Sequence, residues 1–152
     1  MLNRRQLRIK ALEVVYAYDK SSEKDLELQI KYFLKSNQNF YKLYITCFSL
    51  FRELLVLSKN LHLKNKKKYL NNEDDVPLDR FCENLILNQI FESEYLNQKI
   101  NDFKIDYWSN HSELISSIWK DIIESEISLK YLRNPSNSFE IDQSFLVNIY
   151  RK

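Results

Sequence analysis

The residues with the clearest chemical potential lie in positions 1–10, which carry Arg4, Arg5, Arg8 and Lys10 without an acidic residue. On a helix of about 3.6 residues per turn, the three arginines spread over an arc of about 100°. Each guanidinium offers a planar fork of donors that suits phosphate oxygens and base edges. Such groups can hold a single RNA strand and stack on its bases. The alternative is a solvated helix end with adventitious charge, because basic stretches are common.

A second basic segment at residues 64–68 carries four lysines and is followed by the acidic run 73–75. It opens the polar stretch 64–77, which ends at Pro77 and is the best candidate for a loop. Tyr69 could stack on a base, but a lysine run in a polar loop is more often a solvated surface. We therefore assign no role to this lysine run.

The sequence offers little for catalysis. His62 and His111 lie far apart, and neither has a Cys, His or acidic residue at the spacing of a zinc motif. Glycine is absent, which excludes the glycine-rich loops that bind phosphates and the glycine-flanked nucleophile elbow. We expect a non-enzymatic protein with no catalytic residues, no metal site and no cofactor.

Cys47 and Cys82 sit inside apolar helical patterns, where a free cysteine is often a small buried hydrophobe. They indicate no disulfide framework, and no stretch is apolar over the length that spans a bilayer. The basic N-terminus is followed by an amphipathic pattern rather than by the apolar core of a signal peptide. These features predict a cytoplasmic protein with no membrane association.

The composition favours a folded, all-α chain. The 152 residues are 44% hydrophobic and 14% aromatic, which suffices for one domain with a core. A β-rich fold would need glycine in its turns and bulges. The net charge of +2 does not by itself indicate a partner. We predict a single helical domain over residues 1–152, built as a bundle of about six to seven helices.

Apolar periodicity predicts the helices in the first half of this bundle. The first covers residues 3–19, is capped by Asn3, and is central in the bundle because it carries two apolar stripes. A second helix reaches about Lys35, a break follows at residues 36–39, and a long helix then runs to about residue 64. An aromatic stripe of this long helix is predicted to pack in the core: Phe40, Tyr44, Phe48 and Phe51.

The second half of the chain shows shorter helical patterns. They cover residues 78–90, a segment capped by Ser93 that ends near Phe103, a segment from Asn110 or Ser112 to Leu132, and a last helix that begins at Phe139. Pro135 indicates a clear break at residues 134–138.

The segment at residues 4–16, RRQLRIKALEVVY, resembles the first-helix signature of the NusB family of bacterial transcription antitermination factors. That signature is an arginine cluster, then a small residue, then a hydrophobic pair that ends in an aromatic. The matching positions are Arg4, Arg5 and Arg8 for the arginines, Ala11 for the small residue, and Val15 with Tyr16 for the pair. The predicted long helical insertion and residues 134–140 are similar to the extended NusB proteins of Bacteroidetes-type bacteria.

This resemblance implies an RNA-binding helix bundle without catalytic activity. It implies that Arg4, Arg5 and Arg8 contact the single-stranded boxA element of nascent ribosomal RNA. We predict Lys10, which belongs to the same basic segment, as a fourth RNA-binding residue. The implied protein partners are NusE, a small-subunit ribosomal protein, and the RNA polymerase elongation complex. Ile9 and Lys10 depart from the acid and the small residue often found at these positions of the family.

The family also has a second helical half that supplies much of the NusE-binding surface. The present sequence stops about where that half should begin, so we expect the N-terminal part of such a protein. One alternative stays open, which is a helical protein–protein interaction module without RNA binding. Its amphipathic last helix would pair with another chain.

Overall fold

The computed structural model describes residues 3–22, 24–66, 77–136 and 138–151. Within these ranges the chain contains no strand, which confirms the all-α prediction, and the helix count is eight. The chain divides into two compact units, unit 1 at Met1–Ile45 and unit 2 at Thr46–Lys152. The helices are α1 Arg4–Lys20, α2 Leu26–Lys66, α3 Asp79–Cys82, α4 Leu85–Glu92, α5 Glu94–Asp102, α6 Ser112–Ile123, α7 Glu126–Leu132 and α8 Phe139–Arg151.

Helix α1 begins at a capping box, which satisfies two backbone N–H groups that the helix itself leaves unpaired. The Asn3 side chain accepts a hydrogen bond from the Gln6 N–H at 2.8 Å. The Gln6 side chain in turn accepts one from the Asn3 N–H at 2.9 Å. The prediction that Asn3 caps the first helix is therefore confirmed.

The prediction that α1 is central in the bundle is wrong, because none of its described residues is buried. The apolar residues recur at helical spacing as predicted, but the fold buries neither stripe. The most exposed apolar side chains of α1 are Leu12, Val15 and Tyr16, which are 69%, 62% and 64% exposed. The opposite face of the helix carries half-buried positions that recur every four residues: Lys10, Val14 and Tyr18.

Helix α2 is continuous over 41 residues, so the break predicted at residues 36–39 is wrong. Those residues interrupt the apolar pattern, but they include no proline or glycine, and each costs only tenths of a kcal/mol in a helix. At its other end α2 extends to Lys66, into the stretch predicted as a loop. Residues 67–76 of that stretch lie outside the described part of the chain.

The aromatic stripe of α2 packs in the core only in part. Phe51 packs against the core of unit 2. Phe40 and Tyr44 are 39% and 44% exposed, so the core prediction is wrong for these two residues. Periodicity identifies a common helix face correctly, but it does not show how far along the helix that face is covered.

Unit 2 contains a contiguous hydrophobic core built from α2, α3, α4, α6, α7 and α8. Phe81 lies at its centre and is 2% exposed. Its ring meets Trp119 and Phe145 edge to face, with centroid distances of 4.9 and 6.0 Å. Tyr131 stacks on Phe145 with ring centroids 3.8 Å apart.

Polar caps divide the apolar patterns of unit 2 into more helices than the periodicity predicts. The segment 78–90 becomes α3 and α4, because the Asn84 side chain accepts hydrogen bonds from the N–H groups of Ile86 and Leu87. Ser125 likewise separates α6 from α7 by accepting from the Ser128 N–H at 3.2 Å. The predicted cap at Ser93 is confirmed, since its Oγ accepts from the Leu96 N–H at 3.3 Å.

Amide hydrogen exchange is expected to distinguish the two units. Ile45 is the buried hydrophobic residue of unit 1 within the described ranges, whereas unit 2 has an extended core. Regions with few buried apolar contacts open at lower free energy than a core does. In dilute protein, the α1 amides should therefore exchange well before the α6 amides when both are followed by mass spectrometry. Equal protection of α1 and α6 would contradict this expectation.

Candidate nucleic-acid interface

The three predicted arginines are brought together on the first two turns of α1. Arg4, Arg5 and Arg8 are all exposed. The ion pairs among the described residues involve none of the three. Their guanidinium groups are therefore available to an anionic ligand.

Lys10 does not join this group. Its Nζ lies 3.3 Å from Glu13 Oε2, and the residue is half-buried. At about 100° per residue, Lys10 is about 160° around the helix from Arg8. The four basic residues predicted as one RNA-binding set thus divide into three on one face and one on the other.

Apolar side chains continue the face that carries the arginines. At about 100° per residue, Leu12, Val15 and Tyr16 lie with the three arginines inside an arc of about 120°. Sequence reasoning missed this combination, because it placed the apolar stripe in the core. The signal was available in the spacing, since Leu12 and Tyr16 follow Arg8 at successive intervals of four. We call these six residues the outward face of α1: Arg4, Arg5, Arg8, Leu12, Val15 and Tyr16.

The lysine run is described only in part. Lys64 and Lys66 are exposed in the last turn of α2, where positive charge complements the helix dipole. Lys67, Lys68 and Tyr69 lie outside the described residues.

Both histidines make local contacts in unit 2. His62 Nε2 lies 3.3 Å from Asp79 Oδ1. His111 is exposed, its Nδ1 lies 2.7 Å from the Tyr107 carbonyl oxygen, and its ring stacks on the Tyr107 ring. Within the described ranges, no group of three or more His, Cys, Asp or Glu residues is arranged to hold a metal ion.

The two cysteines are free and half-buried. Cys82 Sγ lies 3.6 Å from Ser58 Oγ. Burial raises the pKa of the Cys82 thiol, so this group stays protonated at neutral pH and is a weak nucleophile.

A buried polar network, which the sequence did not predict, joins four helices of unit 2. Asp142 is fully buried, and its Oδ1 accepts from Arg80 Nη2 at 2.7 Å and from the Tyr131 hydroxyl at 2.9 Å. Its Oδ2 accepts from the Leu85 N–H at 2.8 Å. Asn84 Nδ2 donates to the Tyr131 oxygen at 2.8 Å. Burial and the hydrogen bond to Asp142 raise the pKa of Tyr131, which keeps its hydroxyl protonated as a donor.

A largely apolar groove of about 620 Å³ opens between α2, α6 and α8 in unit 2. We call it the unit 2 groove. Two of its lining residues are acidic, Asp121 and Glu124, and Glu124 Oε1 lies 3.8 Å from the exposed Lys120 Nζ. The apolar lining includes Leu50, Phe51, Ile118, Ile122, Ile149 and Tyr150.

Comparisons of the chain with protein-family models, with curated proteins and with solved structures found no match. None of the helices in the described ranges is long and apolar enough to cross a membrane. The class that the fold defines is an all-α protein, whose core lies in unit 2 and whose exposed basic helix lies in unit 1.

Proposed function

We propose that this chain is an RNA-binding transcription antitermination factor of the NusB type. It contacts single-stranded, boxA-like RNA through the outward face of α1. The observation that carries the proposal is the exposure of Arg4, Arg5 and Arg8 on one face, with no carboxylate partner among the described residues. In this proposal the protein acts in the cytoplasm with NusE and the RNA polymerase elongation complex.

The position of the arginines at the start of α1 supports a role other than stability. The N-terminal end of a helix carries partial positive charge, so cations there are unfavourable by a few tenths of a kcal/mol each. The first turn of α1 contains no acidic residue that would offset this charge. An RNA phosphate meets both the guanidinium groups and the positive end of the helix dipole.

Tyr16 adds an aromatic surface to the same face. It is 64% exposed and lies about 18 Å along the helix from Arg4, at about 1.5 Å per residue. Unpaired bases stack on aromatic side chains and on arginine planes, whereas bases in a duplex are not free to do so. The face therefore favours a single strand over a duplex.

Replacing Arg4, Arg5 and Arg8 together by Ala is expected to weaken binding to a labelled boxA-like single strand by about a hundredfold at low salt. Each lost phosphate contact reduces the slope of log K against log salt by about 0.7, so the slope should fall by about 2. Fluorescence anisotropy titrations at several salt concentrations measure both quantities.

A variant of equal charge change provides the control. Lys24, Lys31 and Lys35 are exposed residues of unit 1, and replacing all three by Ala should leave most of the affinity. Equal binding by wild type and the arginine variant would refute the assignment of these arginines. An equal loss of affinity in the lysine variant would show that the effect of the arginine variant comes from net charge alone. Equal binding of a scrambled RNA would refute boxA recognition.

A helical protein–protein interaction module is the second candidate. It is favoured by the exposure of Leu12, Val15 and Tyr16, because contiguous exposed apolar surface often marks an interaction site. This candidate predicts that the wild-type chain binds no RNA in the titrations. It also predicts that a protein partner is retained by the arginine variant and in the presence of ribonuclease.

A further inference from the structure

We infer that the chain self-associates by seating the outward face of α1 of one copy in the unit 2 groove of a second copy. Both surfaces are exposed and belong to the same chain. Each has an apolar part, and their charged residues are of opposite sign. This inference does not depend on RNA binding.

The apolar parts of the two surfaces are complementary. On α1, Leu12, Val15 and Tyr16 project a stripe that is more than half exposed at each position. The unit 2 groove offers such a stripe an apolar surface, because its walls between the helices are mostly aliphatic and aromatic. An amphipathic helix laid into a hydrophobic groove is a common mode of recognition. Tyr150, at the groove, is 68% exposed and would gain cover.

The charges of the two surfaces are opposite. The charged residues that line the groove are both acidic, Asp121 and Glu124. Within the described residues, Asp121 forms no ion pair. Glu124 forms one ion pair there, the long and exposed contact with Lys120. On α1, Arg8 lies one turn before Leu12, so a guanidinium flanks the apolar stripe as the carboxylates flank the apolar groove.

A second copy fits this arrangement because the exchange can be reciprocal. When the α1 of each copy occupies the groove of the other, the contact occurs twice and closes around a twofold axis. Duplication of the contact helps to reach the total of about 1,200–2,000 Å² that specific interfaces bury. Of the assemblies that such a contact allows, the one proposed is the closed dimer, and the experiments below test it against open-ended association.

A charge exchange tests the pairing directly. Sedimentation equilibrium of the full chain over a concentration series should show a monomer–dimer equilibrium that weakens with salt. Arg8→Glu and Asp121→Arg should each weaken dimerisation by about tenfold, and the double variant should recover most of the loss. Two single losses that merely add in the double variant would overturn the pairing.

A second set of variants tests the apolar contact. It uses exposed side chains, because their replacement should leave the fold intact. Leu12→Ser and Tyr150→Ser should each weaken the dimer by about tenfold or more. Leu34→Ser is the matched control, because Leu34 is 61% exposed in unit 1 but lies outside the outward face. The inference is overturned by a wild type that stays monomeric at its highest soluble concentration, or by open-ended association. It is also overturned if the Leu34 variant loses as much affinity as the Leu12 variant.

The two proposals fail in distinguishable ways. Asp121→Arg and Tyr150→Ser alter unit 2, so they should change sedimentation without weakening RNA binding by the dilute monomer. Loss of RNA binding in the arginine variant without any dimer in the wild type would support the proposed function and refute only the self-association.

Discussion

Substituting Asp142 by Ala is expected to lower the free energy of unfolding by about 3–5 kcal/mol, which is the usual cost of removing one partner of a buried ion pair. The carboxylate is fully buried and accepts hydrogen bonds from Arg80, Tyr131 and the Leu85 N–H. The variant takes the charged partner away from Arg80, which is itself 8% exposed. Urea denaturation followed by circular dichroism measures the change.

Two further variants separate this buried contact from the general effect of losing an acid. Asp106→Ala removes an exposed carboxylate of the same unit and should change stability by less than about 0.5 kcal/mol. Asp142→Asn keeps the shape but not the charge, so its loss should fall between the other two. If Asp142→Ala behaves like Asp106→Ala, the network does not contribute to the folded state as described.

The network also explains a limit of sequence-based prediction in this chain. Arg80 and Asp142 are 62 positions apart in the sequence. Each is a charged residue of a type that usually lies on the solvated surface. They come together through tertiary packing, which includes the contacts of α3 with α7 and of α7 with α8. No local pattern encodes that encounter, so the groove and the network both required the structure.

Local features could be predicted where the determining contacts are local. The Asn3 cap, the Ser93 cap and the grouping of the three arginines depend on residues within one or two turns, and the sequence predicts each of them. Asn84 and Ser125 cap helices through equally local contacts. Neither cap was predicted from the sequence, because the apolar periodicity continues across both residues. The prediction that α1 is buried was wrong for the opposite reason. Whether a helix face is buried depends on packing against residues far away in the chain.

The continuity of α2 is the structural result that most directly opposes a local expectation, and a proline tests it. Gln38 is exposed and lies within residues 36–39, where the sequence predicts a break. In a helix interior a proline removes a hydrogen bond and clashes with the carbonyl four residues before, at a cost of about 3 kcal/mol or more. In a loop the same substitution would cost little. Gln38→Pro should therefore destabilise α2 by about 3 kcal/mol.

Besides lowering stability, Gln38→Pro should disrupt the helical structure of α2 around residue 38. A disrupted α2 should lose ellipticity at 222 nm, a standard helical signal, and expose the flanking Lys35 and Lys42 to limited tryptic cleavage. Gln38→Ala is the matched control, since alanine is at least as favourable as glutamine in a helix and should leave both measurements nearly unchanged. Unchanged ellipticity and cleavage in Gln38→Pro would show that residues 36–39 are a loop in solution. In that case α2 would be two helices separated by the break that the sequence predicts.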